Sequence, residues 1–178
     1  MPRCKTAVLL VGCWGALAAL ACDPVQDSLV ASLGPEASGV SRGPNHRPGQ
    51  PCLACHHDGG QARPSFSIAG TIYREKTAIV ALADVDIELT DNAGHKFVAR
   101  SNCAGNFYVG PDMFSPTFPV WVGLRDGSHS ITMESPIYRE GSCATCHSEP
   151  ASPMSAGHVY LTDEPEKAAL FPATPCRN

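Results

Sequence analysis

The stretch Ala83-Asp-Val-Asp-Ile-Glu-Leu-Thr-Asp-Asn-Ala-Gly94 sets Val85, Ile87 and Leu89 on alternate positions and then runs into a turn signal. A period of two with acidic residues between the apolar ones describes a strand with one buried and one wet face. Asp91 to Gly94 supplies residues that tolerate positive φ, where a hairpin reverses. Outward from this segment the pattern recurs in Phe66 to Tyr73, Lys96 to Arg100, Asn106 to Val109, Pro119 to Leu124, Ser130 to Met133 and His158 to Leu161, with a second turn at Asn102-Cys-Ala-Gly-Asn106. No stretch holds helical periodicity for three turns, and the only helix candidate is Glu164 to Leu170. The chain is expected to be all-β.

Ala69-Gly-Thr-Ile-Tyr73, Ala83 to Gly94 and Ser101-Asn-Cys-Ala-Gly-Asn-Phe107 together resemble the carboxypeptidase regulatory-like domain, an immunoglobulin-like β-sandwich. The likeness covers Ser67 to Val109 well and the remainder weakly, and Cys103 departs from it at a turn where a small polar residue is usual. What it implies is a scaffold without catalysis of its own, so function has to be read from sites grafted on the fold.

Two such sites stand out as Cys52-Leu-Ala-Cys55-His56 and Cys143-Ala-Thr-Cys146-His147. Cys-x-x-Cys-His is the attachment pattern of a c-type haem. The two thiols bond the porphyrin, and the imidazole that follows becomes the proximal iron ligand. With 9 Cys and 7 His in 178 residues, chance yields about 0.02 occurrences of the pattern. The rival reading is a four-cysteine zinc site, but zinc pairs usually stand about 15–20 residues apart and need no histidine after each pair. The expectation is two covalently attached haem c groups, one in a loop before the first strand and one before the last. Terminal strands of a sandwich often lie near each other, so the two haems are expected to be neighbours.

The chain begins with Arg3 and Lys5, an apolar run from Thr6 to Ala21, and then Cys22. This is an export signal, too short in its apolar core for a span of about 20 residues. Leu17-Ala-Ala-Leu-Ala-Cys22 resembles a bacterial lipoprotein signal, which implies lipidation of Cys22. It departs from that pattern at Ala19, where leucine is preferred. Ordinary cleavage near Ala21, or an uncleaved anchor, are the alternatives. Residues 1–21 are thus read as signal, 22–51 as a flexible tether spanning roughly 30 Å, and 52–178 as one domain with one core. Export favours an oxidising compartment, periplasmic or cell-surface. Cys103 and Cys176 are then left over as a disulfide candidate, or as two unrelated thiols. A net charge of −4 with no basic cluster argues against a nucleic-acid partner.

The sixth ligand decides what a haem does, since an iron with two protein ligands moves electrons and an open one binds small molecules. His46 lies six residues before Cys52, in a Pro- and Gly-containing loop able to fold back over the haem, or else is a solvated loop residue. Met133 lies ten residues before Cys143 and is either a thioether ligand or core packing. His158, His57, His129 and Met154 are reserves; His57 follows the proximal residue too closely to reach the opposite face of the same iron. The sequence therefore points to a lipid-anchored dihaem c-type cytochrome passing electrons between redox partner proteins. A dihaem peroxidase-like enzyme, a haem-based sensor and a zinc-stapled sandwich are the alternatives.

Overall fold

The computed structural model describes residues 24–36, 42–76, 78–148, 151–173 and 175–176. Two helical pieces come first, α1 at Pro24–Ser32 and α2 at Leu53–His56. Seven strands follow: β1 at Ile68–Glu75, β2 at Ala78–Ala81, β3 at Asp86–Asp91, β4 at Lys96–Arg100, β5 at Asn106–Val109, β6 at Val120–Asp126 and β7 at His129–Thr132. A 3₁₀ turn at Cys143–Thr145, the strand β8 at Val159–Thr162 and the short helix α3 at Pro165–Ala168 complete the order.

The strands form an all-β sandwich of two sheets. One sheet runs β2-β1-β5 with β8 added to β1, and the other runs β4-β3-β6-β7. Pairing is antiparallel except for β1 with β8, which join in parallel through Ile72↔Val159, Tyr73↔Tyr160 and Glu75↔Thr162. First and last strands are therefore neighbours, as expected. The alternation read from the sequence is the reason the layers close. Val85, Ile87 and Leu89 are buried while Glu88 between them is not. They meet Ile68, Ile72, Phe107 and Val109 of the facing sheet in one apolar cluster. Phe107 is 2% exposed, and truncating such a ring to alanine costs about 3–5 kcal/mol.

Gly94 and Gly105 take φ of +83° and +74° in the two expected turns. β2 went unforeseen, because Ala78-Ile-Val-Ala81 is short and lacks alternation. It exists through its pairing with β1, across an irregularity between Tyr73 and Glu75.

The expected tether over 22–51 carries structure in its described part. Pro24–Ser32 is helical, with proline at the first position and Asp27 in the first turn. Gln26 donates its side-chain amide to the Ala54 carbonyl, and Gln61 donates to Asp27 at 3.1 Å. So short a helix depends on such docking, and its apolar Val25 and Leu29 are exposed, which is why no amphipathic stripe marked it. Further on, the Pro44 and His46 carbonyls accept from Asn102 and Asn106 side chains, and the Gly49 N–H donates to Thr71 Oγ1 at 2.7 Å. The described stretch from Pro44 to Gly49 is thus laid along the sandwich. The signal and Cys22 lie outside the described residues. Cys103 and Cys176 form a disulfide across 73 positions, tying the C-terminal segment to the turn before β5.

Asp91 ends β3 as a buried carboxylate accepting backbone N–H groups from Thr117, His95 and Ala93. The Thr117 bond is the largest cause of a carboxyl pKa held down to about 2 from an ordinary 3.8, against the opposing pull of burial. The folded state thus binds fewer protons here than the unfolded one. The contribution is complete above pH 4 and is lost as pH falls from about 4 to about 2. Thermal melts of wild type and Asp91→Asn across that range should show a steeper acid loss in wild type; parallel curves would contradict the assignment.

Candidate functional site

Each Cys-x-x-Cys-His string folds into a single helical turn with the same hydrogen bonds. In the first, the His56 and Cys55 N–H groups donate to the Cys52 carbonyl at 3.0 and 3.2 Å. In the second, His147 and Cys146 donate to the Cys143 carbonyl at 2.9 and 3.1 Å. Residues three and four apart share one helix face, so the turn brings two thiols and one imidazole to the same side.

The two histidines are oriented alike. His56 Nδ1 lies 2.6 Å from the Pro64 carbonyl oxygen, and His147 Nδ1 lies 2.9 Å from that of Gly157. A carbonyl only accepts, so each Nδ1 carries the proton and each Nε2 is left with its lone pair for a metal. Such a second partner is the usual support of a ligating histidine. Burial lowers the His147 pKa from its ordinary value, partly offset by the Gly157 bond. His56 is also buried, with its ring stacked on Phe66 at 4.5 Å and Phe66 on Tyr108 at 5.0 Å.

The second turn presses against β1. Ser142 bridges Ala69 in parallel, and the Ala69 N–H donates to the Gly141 carbonyl at 2.9 Å. A Cβ on Gly70 would lie 2.7 Å from Cys143 Sγ, so only glycine admits the thiol there. Burial pushes the Cys143 thiol up to about 12, and the next cause is the negative charge that Cys52 acquires on ionising. Cys52 is itself pushed up to about 11, mainly by burial. Both motifs border β1, the second through Gly70 and the first through Phe66, which lies two residues before the strand and stacks on His56. None of the four motif cysteines is in a disulfide. Among the described residues, no group of three or more His, Cys, Asp or Glu side chains converges as a metal-ion site.

His46 comes to the first motif. Its ring centre is 5.9 Å from that of His56, with the planes inclined at 59°. Two metal–nitrogen bonds of about 2 Å in line separate imidazole centres by roughly 6 Å, so the pair is spaced to share one ion. A cleft of about 280 Å³ opens here, lined by Val30, Leu33, His46, Cys52, Cys55 and His56 among others.

The remaining candidates divide. His158 is buried next to Gly157 with its ring stacked on Tyr73 at 4.1 Å. Met154 precedes Ser155, whose hydroxyl donates to the Cys146 carbonyl, and is 89% exposed. His129 is occupied otherwise: its Nε2 pairs with the Leu161 carbonyl at 2.9 Å and its ring meets Phe171. Met133 continues the β6–β7 pairing through its N–H to the Val122 carbonyl, in the sheet that does not carry the second motif. His57 turns its Nδ1 to the Leu53 carbonyl at 2.9 Å. Sequence reasoning missed Glu36, Gly70 and Tyr73, none of which carries a motif signal.

The chain matches no family model, no curated protein and no solved structure. Its likeness to the carboxypeptidase regulatory-like domain rests on the quoted residues alone.

Thiolate, not thiol, is the nucleophile, so the raised pKa values should protect the buried sulfurs. In the apoprotein at pH 8, iodoacetamide should modify exposed Cys146 first and Cys143 last, followed by peptide mass spectrometry. Gly70→Val should abolish the protection of Cys143. Equal rates at all four thiols would contradict the docking of the second turn.

Proposed function

We propose that this protein is an exported dihaem c-type cytochrome that passes single electrons between redox partner proteins. The observation that carries the reading is the repeated local geometry. Two motifs far apart in the chain fold into the same turn, each with histidine Nδ1 on a backbone carbonyl and Nε2 left for iron. When bound, each haem supplies an iron that takes up and releases one electron.

The chain's own residues do the rest. Cys52 and Cys55, and Cys143 and Cys146, anchor the two cofactors by thioether bonds. His56 and His147 are the proximal ligands, held in one tautomer and one orientation by the Pro64 and Gly157 carbonyls. His46 would be the sixth ligand of the first haem, supported by its spacing from His56. His158, buried beside Gly157, would be the sixth ligand of the second. Two protein ligands on each iron would favour electron transfer over activation of a small molecule. A rigid sandwich behind both turns keeps the ligand geometry fixed through the redox cycle. That both turns border strand β1 supports passage of the electron from one haem to the other. Lipidation at Cys22, two residues before α1, would hold the first site near the membrane surface.

The test is a spectroscopic titration of protein produced in a host with c-type maturation. Two one-electron waves are expected, with low-spin haem in both oxidation states and no uptake of carbon monoxide by the reduced form. High-spin haem that binds carbon monoxide would overturn the transfer reading in favour of an enzyme or sensor. A haem-free protein that retains zinc would overturn the redox reading altogether.

A further inference from the structure

Beside the first motif the structure leaves two buried polar atoms without a hydrogen-bond partner, His46 Nδ1 and Glu36 Oε2. They belong to side chains that face each other: the other carboxylate oxygen, Glu36 Oε1, stands 3.8 Å from His46 Nδ1. Buried polar groups are nearly always satisfied, so two such atoms in adjacent groups ask for a physical cause. The neighbouring cations do not supply it. Arg42 and Arg47 each bring Nε to 3.9 Å of Oε1. The Arg42 side chain, however, is 93% exposed, and Arg47 already donates to the Gln50 side chain and the Gly34 carbonyl. A closer approach of Glu36 Oε1 would give His46 Nδ1 an acceptor, and a turn of the carboxylate would bring the unpartnered Oε2 to the same N–H.

We infer that Glu36 is a positioning residue for the first haem, accepting the Nδ1–H of His46 when Nε2 of that ring occupies the sixth position at iron. The inference rests on reading Cys52 to His56 as a haem attachment turn. Ligation through Nε2 leaves the ring proton on Nδ1, and a ligating histidine typically gives that proton to a carbonyl or carboxylate. Here the partners differ in charge. His56 and His147 lean on neutral carbonyls of Pro64 and Gly157, whereas His46 faces a carboxylate. A carboxylate makes the imidazole a stronger donor and adds negative charge near the iron. Both effects favour the ferric state and lower that haem's reduction potential. Glu36 therefore makes the two haems unequal, although their attachment turns are alike.

The experiment uses the matured full chain in wild-type, Glu36→Gln, Glu36→Asp and His46→Ala forms, each first checked for two covalent haems by mass. Potentiometric titration should show one of the two potentials shifted upward in Glu36→Gln and the other unchanged, with Glu36→Asp close to wild type. The ferric low-spin electron paramagnetic resonance signal of the same haem should change in Glu36→Gln, and one haem should turn high-spin in His46→Ala. Unchanged potentials and signals in Glu36→Gln, or two low-spin haems in His46→Ala, would overturn the role of Glu36 while leaving the dihaem reading intact. Absence of covalent haem in wild type would overturn the underlying reading, and the inference with it.

Discussion

Strand β1 is paired on both sides, and its own sheet and the second motif take their positions from it. At Ala69 its partners are Tyr108 of β5 and Ser142, just before the second motif; at Tyr73 they are Ala81 of β2 and Tyr160 of β8. The same strand buries Ile68 and Ile72 in the core. It is therefore held by hydrogen bonds in its plane and by apolar burial on its inner face. Residues that touch it are placed as firmly as the sandwich itself.

Both Cys-x-x-Cys-His turns use that anchorage. The second sits on β1 because residue 70 has no side chain to collide with Cys143. The first leads into β1 through Phe66, whose ring stacks on His56. The loop before that turn is fastened to the strand by the Gly49 N–H bond to Thr71 Oγ1. Gly49 adopts φ +77°, and a Cβ there would meet the Tyr73 hydroxyl at 2.5 Å, so the loop also needs its glycine. Tyr73 in turn stacks on His158, next to the Gly157 carbonyl that orients His147. One strand thus links the surroundings of both imidazoles.

The strands were legible because each half-buried segment repeats with period two, and Lys96–Arg100 and Asn106–Val109 match their observed bounds. β2 and α1 were not, since neither has a face of its own: β2 is a four-residue edge strand paired with β1, and α1 is docked by Gln26 and by its contacts with α2. At the site, the motifs and His46 could be read from residue type and spacing. Glu36 could not, because its approach to His46 across ten positions depends on how the loop returns. Gly70 could not either, because a glycine in a strand reads only as weak pairing until the chain that approaches it is known. Met133 extends the other sheet, which its proximity in sequence to Cys143 does not reveal.

The central claim is that both turns carry covalent haem, and the most direct measurement is the intact mass of mature protein from a maturation-competent host, followed by peptide mapping. The account predicts a gain of two haem masses, one on the peptide holding Cys52 and Cys55 and one on that holding Cys143 and Cys146. Recovery of both peptides with four unmodified thiols would contradict it.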